Sequence, residues 1–131
     1  MTRANFETYA YTALRIVVGF MFCWHGIQKL FGVLMPQQPP MWSQIWFGGV
    51  IELVGGALIA IGLFTRPAAF FASGTMAVAY IQFHWKGALD SHFLPGVNGG
   101  ELAVVYCFLF LLFFARGAGP ISLDARLGRS V

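Results

Sequence analysis

IWFGGVIELVGGALIAIGLF, residues 45–64, is twenty residues long and contains one ionisable side chain, Glu52. A helix crossing a bilayer needs roughly 17–25 predominantly apolar residues, so this stretch is the length of one span. Proline marks its upstream border at Pro36, Pro39 and Pro40, and Thr65-Arg66-Pro67 marks its downstream border. Proline is disfavoured inside helices but welcome in a first turn. These borders predict a loop over 34–41 and a tight connection into a further helix that starts near Pro67. Trp42 and Trp46 stand where interfacial anchors are expected.

Outward from this stretch the pattern repeats. Apolar runs occupy about 11–31, 68–83 and 101–116, which with 45–64 predicts an all-α, polytopic membrane protein. The expectation is one domain over 1–131, a four-transmembrane-helix bundle. Composition agrees: 58% of the 131 residues are hydrophobic, 10% are charged and 14 are Phe, and mean hydropathy is +0.71. A soluble domain needs more polar surface. The net charge of +3 does not suggest a nucleic-acid partner.

Basic residues set the orientation. Arg3, Arg66, Arg116, Arg126 and Arg129 fall on one side, and Lys86, with Lys29 near a helix end, on the other. Positive residues concentrate on the cytoplasmic side, so both termini and the Arg66 turn are expected there, with loops 34–41 and 84–100 outside. Ile16–Trp24 has the look of a leader's apolar region, but no small-residue cleavage pattern follows it, so cleavage is not expected. Cys23 and Cys107 form no C-x-x-C pair and read as buried free thiols.

Ionisable groups at membrane depth are expensive and usually pair, line a cavity or act. His25 and Lys29 lie one turn apart on the first apolar run and share a face. Gly19 and Gly26 are seven apart, so they also share a face. Gly48, Gly49, Gly55, Gly56 and Gly62 flank Glu52, and small residues let helices approach closely in lipid. Counted from the outer ends of their runs, His25 and Glu52 both lie roughly 9 Å deep. A His25–Lys29–Glu52 cluster follows, with two readings open: an ion pair that pins two helices, or a proton-handling, ligand-polarising site. His84 closes the third run. Asn98-Gly-Gly-Glu101 has the spacing of a capping box, and His84, Asn98 and Glu101 are candidate ligand-binding residues. His84, His92 and Glu101 match no strong metal-site spacing, and no metal site is expected. Arg15, in the inner half, is expected to form a structural ion pair with Asp124 of the tail. Phe22, Phe31, Trp46, Phe47, Phe83 and Trp85 could line a pocket for a flat ring or face lipid.

Assembled in order, these pieces resemble the DoxX family of small bacterial membrane proteins. They are Arg15-x-x-x-Gly19, His25-Gly26-x-x-Lys29-Leu30, Glu52-x-x-Gly55-Gly56, Gly62-x-x-Thr65-Arg66-x-Ala68-Ala69, Asn98-Gly-Gly-Glu101 and Gly119-Pro-x-Ser122-Leu-Asp124. The resemblance implies a four-helix bundle in the bacterial inner membrane. Its wider superfamily is similar to a thiosulfate:quinone oxidoreductase subunit, methylamine-utilisation membrane proteins and eukaryotic cargo-receptor relatives. It also implies links to quinones, to oxidative stress and to soluble redox enzymes. The expected cofactor is therefore a quinone or nothing built in, since no cofactor motif is present. The expected partners are the lipid bilayer and a soluble redox enzyme, with self-association left open. On this reading Lys29, His25 and Glu52 form the reactive group, with Glu52 or Glu101 relaying protons. The competing reading is a non-enzymatic scaffold or transport-accessory protein whose polar cluster is structural.

Overall fold

A computed structural model describes residues 2–129, so Ser130 lies outside the described residues. Among these the chain is helical, without strands. Helix α1 is Arg3–Phe31, α2 is Gln44–Ile61 and α3 is Thr65–Ala79, which continues as a π-helical turn over Tyr80–Trp85. A 3-10 turn at Ser91–Phe93 and the short α4, Pro95–Asn98, lead into α5, Glu101–Arg116; α6 is Leu123–Arg126. Helices α1 and α2 are long and apolar enough to cross a membrane by length and composition.

Local chemistry explains the ends. Helix α1 starts eight residues before the apolar run because the Thr2 hydroxyl accepts from the Asn5 N–H and Arg3 pairs with Glu7 at 3.0 Å. Such capping and i,i+4 pairing support a helix with no apolar face. Helix α2 starts where the Ser43 hydroxyl accepts from the Trp46 N–H. It stops at Ile61, three residues short of the expected border, because Gly62 turns left-handed (φ 71°) and Leu63 N–H reaches back to Leu58 carbonyl. This is a Schellman closure, which a glycine makes at low cost.

Helices α1 and α2 pack antiparallel, backbone against backbone. A Cβ on Gly19 would stand 2.5 Å from Ala60 N, and one on Gly26 or Gly56 would overlap the backbone of Leu53 or Cys23. This is the close approach that the glycine faces implied. A second pair joins α3 to α5, where Ala69 and Ala72 meet Phe110 and Phe113 in one apolar core with Phe22 and Ile59. Phe22 and Phe110 are 4.5 Å apart, and Tyr106 stacks on Phe110 at 5.5 Å. The outward faces remain apolar: Phe20, Phe71 and Phe108 are each more than 60% exposed. Large exposed apolar surface of this kind is rare on water-soluble monomers.

One end of the bundle is stitched by charge. Arg15 is 1% exposed and does not make the expected salt bridge with Asp124. It donates instead to the carbonyls of Ile59 (2.6 Å), Ala60 (2.7 Å) and Ile121 (2.8 Å). Asp124 accepts from the backbone N–H groups of Phe64 (3.0 Å) and Thr65 (3.1 Å) and stands 3.8 Å from Arg129. A helix end leaves carbonyls without partners and a helix start leaves N–H groups without them. The cation therefore closes the end of α2 and the anion opens α3. Both answer the backbone, so they meet in one cluster without pairing directly.

Candidate functional site

At the opposite end, α1 and α2 bring the predicted cluster together. Lys29 Nζ donates to Glu52 Oε1 at 2.6 Å, with the lysine side chain 27% exposed and the carboxylate 3% exposed. The glycine seam places them here, since Gly49 packs under the Lys29 stem, with Lys29 Cβ 3.0 Å from where a Cβ would stand. The His25 ring stands edge-on to Tyr106, with centroids 6.2 Å apart. His84 arrives from α3 through the π-helical turn and stacks loosely on Tyr80 at 6.5 Å. Such turns are rare and recur at functional sites.

Two cavities meet at this cluster. The inner one, about 230 Å³, is lined by His25, Lys29, Glu52, His84, Phe22 and Tyr106, among others. The outer one, about 600 Å³, is a groove between α2 and α3 whose walls include Phe47, Phe70, Phe71 and Phe83, with Lys29, Glu52 and His84 at its polar end. Lys29, Glu52, Met76, Ala79 and His84 border both. Four buried side-chain polar atoms have no hydrogen-bond partner among the described residues. Arg15 Nε and Thr65 Oγ1 belong to the charged stitch, and Glu52 Oε2 and the Tyr106 hydroxyl belong to two side chains that line the inner cavity. A buried polar group without a partner is costly, so Glu52 and Tyr106 each carry an unmet hydrogen bond in this part of the bundle.

Other candidates fall elsewhere. Glu101 is exposed in the first turn of α5 and lines neither cavity. The capping box does not form: Gly99 (φ 76°) closes α4 and Gly100 becomes the cap residue of α5. Asn98 instead ties the 86–100 loop, accepting from Gly100 N–H (2.8 Å) and donating to His92 carbonyl (2.8 Å) and Tyr80 hydroxyl (3.2 Å). His92 turns to Asp90, and its backbone N–H and then its ring hold that exposed carboxyl below the usual range. No group of three metal-ligating side chains forms among the described residues. Of the aromatic candidates, Phe22, Phe47 and Phe83 line cavities. Trp46 packs on Trp42 and Phe47, Trp85 on Phe93, and Phe31 is exposed. Tyr106 was not among the sequence candidates. Its signal was faint, a single phenol in the otherwise apolar run 102–115.

The DoxX family model matches residues 10–85, more than half of the chain. The chain belongs to the DoxX family. An uncharacterised Haemophilus influenzae protein is 44% identical over 127 residues, covering 92% of both chains. An uncharacterised membrane protein of Mycobacterium tuberculosis, Rv3486, is 31% identical over 136 residues, covering 88% of this chain and 80% of its own. Inner membrane protein YphA of Escherichia coli is 31% identical over 121 residues, 86% of each chain. No solved structure matches. This DoxX chain is a membrane protein of the same type as those relatives. The matched segment contains His25, Lys29, Glu52 and His84, while Tyr106 lies beyond it.

Proposed function

We propose that this protein spans the bacterial inner membrane four times, with both termini cytoplasmic, and binds a quinone or similar apolar ring in the outer half of its bundle. The observation that carries the reading is the α2–α3 groove, apolar along its walls and ending on Lys29, Glu52 and His84. Ligand pockets are typically 300–1,000 Å³, mostly apolar, with a few placed polar groups, and this groove has that character. The residues fit a ring carbonyl: Lys29 and Glu52 stand at the polar end of the groove, and His25 and Tyr106 line the inner cavity that adjoins it there. A bound quinone would supply a carrier of two electrons and two protons. Lys29 orients and polarises the ring oxygen, and the Glu52 carboxyl holds a proton for that oxygen to take up as the electrons arrive. The phenylalanine walls exclude water. Electrons come from a soluble redox enzyme at the membrane surface.

A second reading, a scaffold or transport-accessory protein, draws on the Lys29–Glu52 bond itself, which joins α1 to α2 as a structural pin would. Conservative variants separate the two. Glu52→Gln keeps shape but not the proton, and Lys29→Met keeps most of the length but not the donor. On the redox reading both variants insert and fold yet lose quinone binding, measured by mass spectrometry of co-purified small molecules. Folded variants that keep the ligand, or a wild-type protein that carries none, would remove the proposal in favour of the scaffold.

The topology has its own check. Cysteines placed at Gln38 and at Ser130 are expected to react with an impermeant reagent from opposite sides of the membrane. Labelling from one side alone would refute the four-span arrangement.

A further inference from the structure

The α2–α3 groove does not end below the charged cluster. A further cavity of about 380 Å³ continues toward the stitched end, sharing Ile51 and Phe71 with the 600 Å³ groove above. Its walls are apolar, among them Val54, Leu58, Phe64 and Pro67, and no charged side chain borders it. From Gly48 to Leu58 the seam follows α2 for about 15 Å, half of the roughly 30 Å hydrocarbon layer. Gly48 and Gly74 keep it open, since a Cβ at either would meet nothing within 4 Å. Every ionisable group on the seam stands at one end, and everything below is hydrocarbon. A small ring fills only the upper part of such a seam.

We infer that the ligand is a long-tailed amphiphile, a ring seated at Lys29, Glu52 and His84 with a prenyl tail laid down the α2–α3 seam as far as Phe64 and Pro67. The inference rests on the ring-binding reading and names its ligand class. In lipid the tail gains dispersion contacts rather than escape from water, so its effect is a modest multiple of affinity.

The test uses the full-length protein in detergent and native mass spectrometry. Its probes are a para-benzoquinone with one isoprene unit and the same ring with a long polyisoprene tail. Wild type is expected to retain the long-tailed ring about fivefold better. Val54→Trp, at an exposed position on the lower seam, is expected to abolish that preference while leaving short-probe retention unchanged. Leu58→Phe serves as a second block if the tryptophan variant fails to fold. Gly74→Leu fills the upper groove and is expected to lose both probes. Equal retention of the two probes by wild type, or a tail preference that survives in the folded lower-seam variant, overturns the inference and leaves ring binding standing. Retention of neither probe by wild type overturns the ring reading, and the inference with it.

Discussion

Glu52→Ala is expected to lower the stability of the folded protein in detergent by about 3–5 kcal/mol, because breaking a buried ion pair strands its partner. The pair is Lys29–Glu52 at 2.6 Å, and the ammonium left behind is 27% exposed, which places the loss at the lower end of that range. Asp90→Ala, at an exposed position in the 86–100 loop, is the control and should change the melting temperature far less. The double variant Lys29→Met/Glu52→Gln is expected to recover much of the loss, since removing both charges leaves neither one unpaired. Thermal unfolding of the four proteins decides the matter. Equal, small shifts for Glu52→Ala and Asp90→Ala would mean that the carboxylate is solvated and the pair contributes little.

The second large effect lies at the stitched end. Arg15→Leu is expected to destabilise by about 4 kcal/mol or more, because hydrogen bonds to charged groups contribute roughly 1.5–3 kcal/mol each and buried carbonyls left bare lose that. Three carbonyls accept from this guanidinium, those of Ile59, Ala60 and Ile121, and among the described residues Ile59 alone of them keeps another donor, the Gly62 N–H. Arg15→Lys should fall between, since an ammonium lacks the planar fork that reaches two chain segments at once. A folded Arg15→Leu protein that melts with wild type would show that those carbonyls find other donors.

The positions of Lys29 and Glu52 were legible because two simple counts agree: glycine at seven-residue spacing on α1, and depth below the outer borders. Gly26 and Gly56 then touch the facing backbone as that pattern implied. The N-terminal reach of α1 was hidden because Thr2 capping and the Arg3–Glu7 pair leave no mark in hydropathy. Asn98 and Glu101 have capping-box spacing, but the left-handed Gly99 intervenes, and a backbone dihedral is not written in residue type alone. Arg15 and Asp124 carry complementary charge, yet each is claimed first by a helix end, which pairwise charge matching ignores. Tyr106 depends on which face of α5 turns inward, and α5 is apolar all round, so periodicity could not choose.

The placement of the stitch has a mechanical meaning. Near Phe64 the end of α2, the start of α3 and the tail are tied together by Arg15 and Asp124, and within the second pair the Arg66 guanidinium of α3 holds the carbonyls of Phe114 and Ala115 on α5. At the far end α2 and α3 are linked by a hydrogen bond between two exposed side chains, Gln44 and Gln82. The α2–α3 junction is thus held unequally, by buried charge at the face rich in arginine and by one exposed neutral bond at the other. Local opening between α2 and α3 is therefore expected first beside Gln44 and Gln82, where hydrogen exchange should run faster than at the charged end around Phe64.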